Sequence, residues 1–158
     1  MKNILDELEL DINRCRLLIK ENNYLEIVIA IEELHDKYKN NIKEIANTNS
    51  NIVWNYRKRD IENIEKYLIN YKEELLLKEK YITIDEKIKN LKSNIKNSDM
   101  LDKKELIDII ESIDSIRNDE NIDADKKWDR LKNCLDIIKK QEREVSLYLL
   151  DIITLLIR

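Results

Sequence analysis

Apolar residues recur three and four positions apart along almost the whole of this chain, the spacing that lines one face of an α-helix. The last stretch shows it most fully. Over residues 123–158, Trp128, Leu131, Leu135, Ile138, Val145, Leu149, Ile152 and Leu156 form a seam broken only by Glu142, which predicts one helix of about nine or ten turns. From Ser146 onward Leu150, Ile153 and Ile157 add a second apolar row. The end of this helix therefore needs cover on two sides.

The preceding segments repeat the pattern with single stripes. Residues 3–21 carry Leu5, Leu8, Ile12, Cys15 and Ile19 at heptad spacing. Asn22 and Asn23 interrupt the pattern, and asparagine is the non-glycine residue best able to take the left-handed conformation that ends a helix. Asn47, Asn97 and Asn118 read as further stops of the same kind. Residues 24–46 hold Tyr24, Val28, Ile31, His35, Tyr38, Ile42 and Ile45 in one register, with Ile27 and Leu34 beside it. So short a connection implies that the first two helices form an antiparallel hairpin.

A loop over the small polar residues 47–51 precedes a third helix, 54–80, with Trp54, Ile61, Ile64, Leu68, Tyr71 and Leu75 in register. The register slips over residues 76–81, and Tyr81, Ile84, Ile88, Leu91 and Ile95 start a new one. Thr83 with Glu86 has the form of a capping box, so the pattern predicts a break or kink there. The competing reading is one helix of about forty residues with a stutter. Ser98 or Asp99 caps a fifth helix over 101–117, and Asp123 caps the last.

Composition strengthens the all-helical reading. The 158 residues include no glycine, no proline and no phenylalanine, and 39% are charged, which removes the strong helix breakers and most hairpin-turn chemistry. The expectation is a single domain, 1–158, folded as an antiparallel, coiled-coil-like bundle of five or six helices. The abundance of Ile, Lys and Asn also fits an AT-rich genome, which lessens the functional meaning of those residues. Cys15 and Cys134 show neither a CxxC pair nor a disulfide framework and read as reduced core thiols. Asp6, Glu7, Glu9 and Asp11 follow Met1 so closely that no signal-peptide pattern is present. The longest apolar-rich segment, 147–157, is interrupted by Asp151 and Thr154 and is about half the length needed to cross a bilayer. A cytoplasmic protein without a membrane span is expected.

Candidate chemistry is sparse. The only histidine, His35, stands in Glu32-x-x-His35, a pairing used by di-metal carboxylate bundles, but such a site needs a second histidine. The dipeptide His35-Asp36 has the form used by metal-dependent HD phosphohydrolases, which also need more histidines. The Arg-then-His motif of HEPN ribonucleases is absent, since Val28, Ile29 and Ala30 occupy the positions at that spacing. Without glycine, P-loops and dinucleotide fingerprints are excluded. No catalytic residue, metal site or cofactor is expected.

Charge is distributed unevenly. Residues 99–123 hold nine acids against Lys103, Lys104 and Arg117, a local charge of -6 in a chain of -4. Within them Asp102, Glu105, Asp108, Glu111 and Asp114 recur every three residues, each step about 60° short of a full turn. The row therefore winds around its helix and cannot converge on one ion, but it can face a basic protein surface. The opposite feature is Trp54, Tyr56, Arg57, Lys58 and Arg59, aromatic and basic residues interleaved as in single-strand binders. Residues 47–81 net only +1, far from a nucleic-acid footprint. The expectation is a non-enzymatic, regulatory protein that binds protein partners through helix faces, with a homodimer favoured. One alternative is an acidic inhibitor, encoded by a phage or mobile element, that mimics nucleic acid against a basic nucleic-acid-binding protein. The other is a single-strand-binding accessory protein that uses Trp54 to Arg59.

Overall fold

The computed structural model describes residues 2–48, 55–97, 103–119 and 123–157. Seven helices run through these residues: α1 (Lys2–Glu21), α2 (Tyr24–Tyr38), α3 (Lys43–Ala46), α4 (Lys58–Asn97), α5 (Lys103–Asn118), α6 (Ala124–Ile138) and α7 (Arg143–Ile157). The protein is an all-α helical bundle, and the described residues contain no strand. Two compact units divide it, residues 1–78 and 79–158. Each unit has its own apolar core.

The first unit is built on the α1–α2 hairpin. Asn22 ends α1 with φ 54, and its N–H donates to the Leu18 carbonyl at 2.9 Å, which satisfies one of the four carbonyls that a helix end leaves open. It is the one positive φ among the described residues. Helices α3, α4 and α5 do end at or next to Asn47, Asn97 and Asn118, but Asn47 keeps right-handed geometry. Leu8, Ile12, Cys15 and Leu18 of α1 pack with Ile27, Ala30, Ile31, Leu34 and Tyr38 of α2 and with Ile61, Ile64 and Leu68 of α4. The core row thus follows the heptads, and each fully buried Leu or Ile contributes about 1.5–3 kcal/mol.

Three helix boundaries differ from those expected. The helix over 24–46 breaks after Tyr38, where Lys39, Asn40 and Asn41 form a turn before α3. Adjacent asparagines compete with helical hydrogen bonding through their own amides. Ile42 and Ile45 nevertheless stay in the core. The break expected at Thr83 is absent, and α4 runs through it for 40 residues. Thr83 Oγ1 donates to the Glu79 carbonyl at 2.9 Å, so the hydroxyl bonds back into its own helix and caps nothing.

The third difference lies in the second unit. The single helix expected over 123–158 is two, α6 and α7, joined by a turn over residues 139–142. Glu142, the one gap in the apolar seam, falls in that turn. Ser146 Oγ lies 2.9 Å from the Ile138 carbonyl, which also accepts from the Gln141 N–H, and 3.2 Å from the Gln141 carbonyl, so its hydroxyl adds a side-chain bond to the turn that ends α6. The turn allows Leu131, Cys134 and Ile138 of α6 to share a core with Leu149, Ile152, Ile153 and Leu156 of α7. Ile84, Ile88 and Leu91 of α4 join them, as do Leu106, Ile109, Ile110, Ile113 and Ile116 of α5. Asp123 caps α6 as expected, accepting from the Lys126 N–H at 2.8 Å.

Candidate functional site

Within the aromatic and basic segment, Trp54 lies outside the described residues. Tyr56 is 5% exposed, and its hydroxyl donates to Glu32 Oε1 at 2.9 Å. A ring held in the core in this way offers no face for a base to stack on. Arg57, Lys58 and Arg59 are exposed at the start of α4. There the Arg57 N–H donates to Asp60 Oδ2 at 2.6 Å, an acidic contact in the first turn that suits the positive end of the helix. The segment therefore begins a helix and contributes a tyrosine to the core.

The acidic row is also divided by the fold. Asp102 lies outside the described residues. Asp114 is half-buried and lies 3.8 Å from both Lys92 of α4 and Arg117 of its own helix. Arg117 in turn pairs with Asp85. Glu105 is half-buried, while Asp108 and Glu111 stand fully on the surface, and these three form no ion pair among the described residues. Over residues 103–119 five acids meet three bases, 3 minus 5 or -2. An open groove of about 440 Å³ beside them is lined by Asp85, Lys89, Lys92, Asp114 and Arg117, with Ile88 and Ser93. Its lining mixes three cations with two carboxylates.

His35 has a side chain 12% exposed, with Nδ1 3.8 Å from Asp36 Oδ1. Glu32 is occupied with Tyr56. Among the described residues no three His, Cys, Asp or Glu side chains come together as metal ligands would. Cys15 and Cys134 are both free and buried. Burial pushes the Cys15 thiol up to about 12, with Glu65 and Asp11 adding to the effect. Burial raises the Cys134 thiol as well. Thiols of this kind are poor nucleophiles, because the reactive species is the thiolate.

What the heptad pattern does not mark is the apolar surface left over. On the hairpin, Leu10 and Leu17 of α1 are 70% and 59% exposed, and Leu25 and Ile29 of α2 are 65% and 54% exposed. Leu25, Val28 and Ile29 line a shallow apolar groove of about 350 Å³ bounded by Glu32 and Glu33. The hairpin register is set by Arg14–Glu33 at 2.6 Å and Lys37–Asp11 at 2.8 Å. In the second unit Trp128, expected in the seam, is 48% exposed, and Leu147 and Leu150 are exposed on α7. The second apolar row of that helix is therefore divided, with Ile153 buried and Leu150 exposed, while the Ile157 side chain lies outside the described ones.

A sequence signal for these faces existed. Leu10, Leu17, Leu25 and Ile29 all lie off the heptad rows, and large apolar side chains off the core stripe mark a second buried face or a contact surface; Leu18, also off its row, is buried. No helix among the described residues is long and apolar enough to cross a membrane. No protein-family model, curated protein or solved structure matches the chain.

Proposed function

We propose that this chain is a non-enzymatic, regulatory protein of the cytoplasm that binds protein partners through exposed helix faces. The observation that carries this reading is the set of large apolar side chains standing outside both cores: Leu10, Leu17, Leu25 and Ile29 on α1 and α2, and Trp128, Leu147 and Leu150 on α6 and α7. Apolar groups clustered on one helix face cost solvation free energy until a partner covers them. The two buried, unpaired thiols fit a reducing compartment.

The test is a quantitative one. A partner is captured from the source organism, and its affinity is then measured against two variants, Leu25→Ser with Ile29→Ser and Leu147→Lys with Leu150→Lys. A loss of about tenfold or more in either variant is expected, since apolar anchors dominate interfaces. Unchanged affinity in both would remove the reading.

The acidic-inhibitor reading ranks second, supported by the exposed Asp108 and Glu111 and the half-buried Glu105 on α5. It ranks lower because Asp114 is already held by Lys92 and Arg117. Reversal to lysine at Asp108 and Glu111 separates the two, because an inhibitor of a basic groove loses both affinity and salt dependence with those charges.

A further inference from the structure

We infer that the outer face of the α1–α2 hairpin, centred on Leu25 and Ile29, is a docking surface for a basic amphipathic helix. This rests on the protein-binding reading above and names the surface and the chemistry of what fills it. The groove floor is apolar: Val28 is buried beneath the exposed Leu25 and Ile29. Residues i, i+3 and i+4 on a groove wall are the arrangement into which an amphipathic helix lays its own apolar stripe.

Charge decides the kind of helix. Glu32 and Glu33 bound the groove, Glu33 in an ion pair with Arg14, and Glu21 and Glu26 are exposed on the same two helices. Glu21 and Glu26 form no ion pair among the described residues. Across residues 2–38 nine acids stand against five bases, 5 minus 9 or -4. Three of those bases are already taken, Arg14 by Glu33, Arg16 by Glu65 and Lys37 by Glu7 and Asp11. An apolar strip with an acidic rim is complementary to an apolar stripe flanked by Lys or Arg. A second copy of this chain is a poor occupant, because a two-fold contact packs the same patch on both sides and would set acid against acid. An anionic bilayer is disfavoured for the same reason.

The probe is a synthetic amphipathic helix of leucine and lysine, about five turns long, titrated by fluorescence anisotropy into the full-length protein at physiological salt. Two controls accompany it, a leucine–glutamate peptide with the same apolar pattern and a leucine–lysine peptide of scrambled order. The expected result is saturable binding of the patterned basic peptide alone. Leu25→Ser with Ile29→Ser weakens it about tenfold, and Glu21→Lys with Glu26→Lys weakens it and flattens its salt dependence. All four positions are exposed, so far-ultraviolet circular dichroism stays unchanged. Absence of saturable binding, binding that both variants retain, or equal binding of the acidic or scrambled peptide overturns the inference. So does preferential binding to phosphatidylserine vesicles, or self-association of the wild type that Leu25→Ser with Ile29→Ser abolishes. If a captured partner is lost only with Leu147→Lys and Leu150→Lys, this surface is the wrong one while the protein-binding reading stands.

Discussion

Asn22 shows how much a single residue carries in a chain without glycine. Its φ of 54 costs a residue with an ordinary Cβ about 1–2 kcal/mol. Asn22→Ala is expected to lower stability by about 1 kcal/mol, and Asn22→Gly to be close to neutral, both read from urea unfolding midpoints. Tyr38 makes a comparable local contribution, since its buried hydroxyl donates to Asp11 Oδ2 at 2.7 Å. Tyr38→Phe removes that bond and should cost about 1–2 kcal/mol, as expected for a hydrogen bond to a charged group. Cys15 gives a pH-dependent test. Its folded thiol titrates near 12 because it is buried, whereas the unfolded chain ionises near 8.5. The unfolded state thus binds fewer protons above about pH 8.5, so this group's effect on stability is absent at neutral pH and becomes steadily unfavourable as pH rises towards 12. Disulfide-exchange reagents should label Cys15 slowly in the native protein at pH 8 and rapidly after denaturation. Rapid native labelling would show that the thiol is not in the core. The Asn22 stop was legible in the sequence because only Asn was available for it, whereas the burial of Tyr56 was not, since its pairing with Glu32 joins residues 24 positions apart.

At the scale of the helix, apolar periodicity located the elements and misjudged where they break. The stutter after Leu75 has the same sequence appearance whether the helix stops or continues, because backbone hydrogen bonding tolerates a change of apolar face. In α4 it continues. Glu142 gave a weaker sign, one acid in a long apolar seam, and there the helix does stop. Ser146→Ala removes the hydroxyl that answers the Ile138 and Gln141 carbonyls and is expected to cost about 1 kcal/mol. The loss should appear as faster amide exchange around residues 139–146. Unchanged exchange there would mean that water serves those carbonyls equally well. The acidic row was legible as carboxylates three residues apart, and Glu105, Asp108, Glu111 and Asp114 do share one helix. That Asp114 turns to Lys92 was not, because the pairing depends on which face α5 presents to α4.

At the scale of the whole chain there are two cores, one in each unit, and α4 contributes residues to both. Leu68 is fully buried in the first and Ile109 in the second, and truncation of such a side chain to alanine costs about 2–5 kcal/mol. Leu68→Ala should accelerate amide exchange mainly within residues 2–75, and Ile109→Ala mainly within residues 84–156. Equal acceleration throughout both units in each variant would show that the cores unfold as one. Self-association belongs to this scale too. The exposed Leu147 and Leu150 on α7 favour a dimer at tens of micromolar protein, and light scattering should return a monomer for Leu147→Lys with Leu150→Lys. A wild-type monomer under the same conditions would exclude a dimer through that face.

The sequence by itself determined the helical class, most of the residues of both cores and two helix ends, at Asn22 and Asp123. Those depend on local propensity and on the 3.6-residue period, which act along the chain and need no knowledge of neighbours. The tertiary structure decided which of the apolar residues off the heptad rows remained in water, Leu25 and Ile29, and which did not, Leu18. Leu25 and Ile29 differ from Ile27 and Ile31 only in where on α2 they point, and which direction is inward is settled by how α1 and α4 pack against it. The charged groups followed the same rule, because an acid becomes a structural partner or an exposed rim according to whether packing brings a cation within reach.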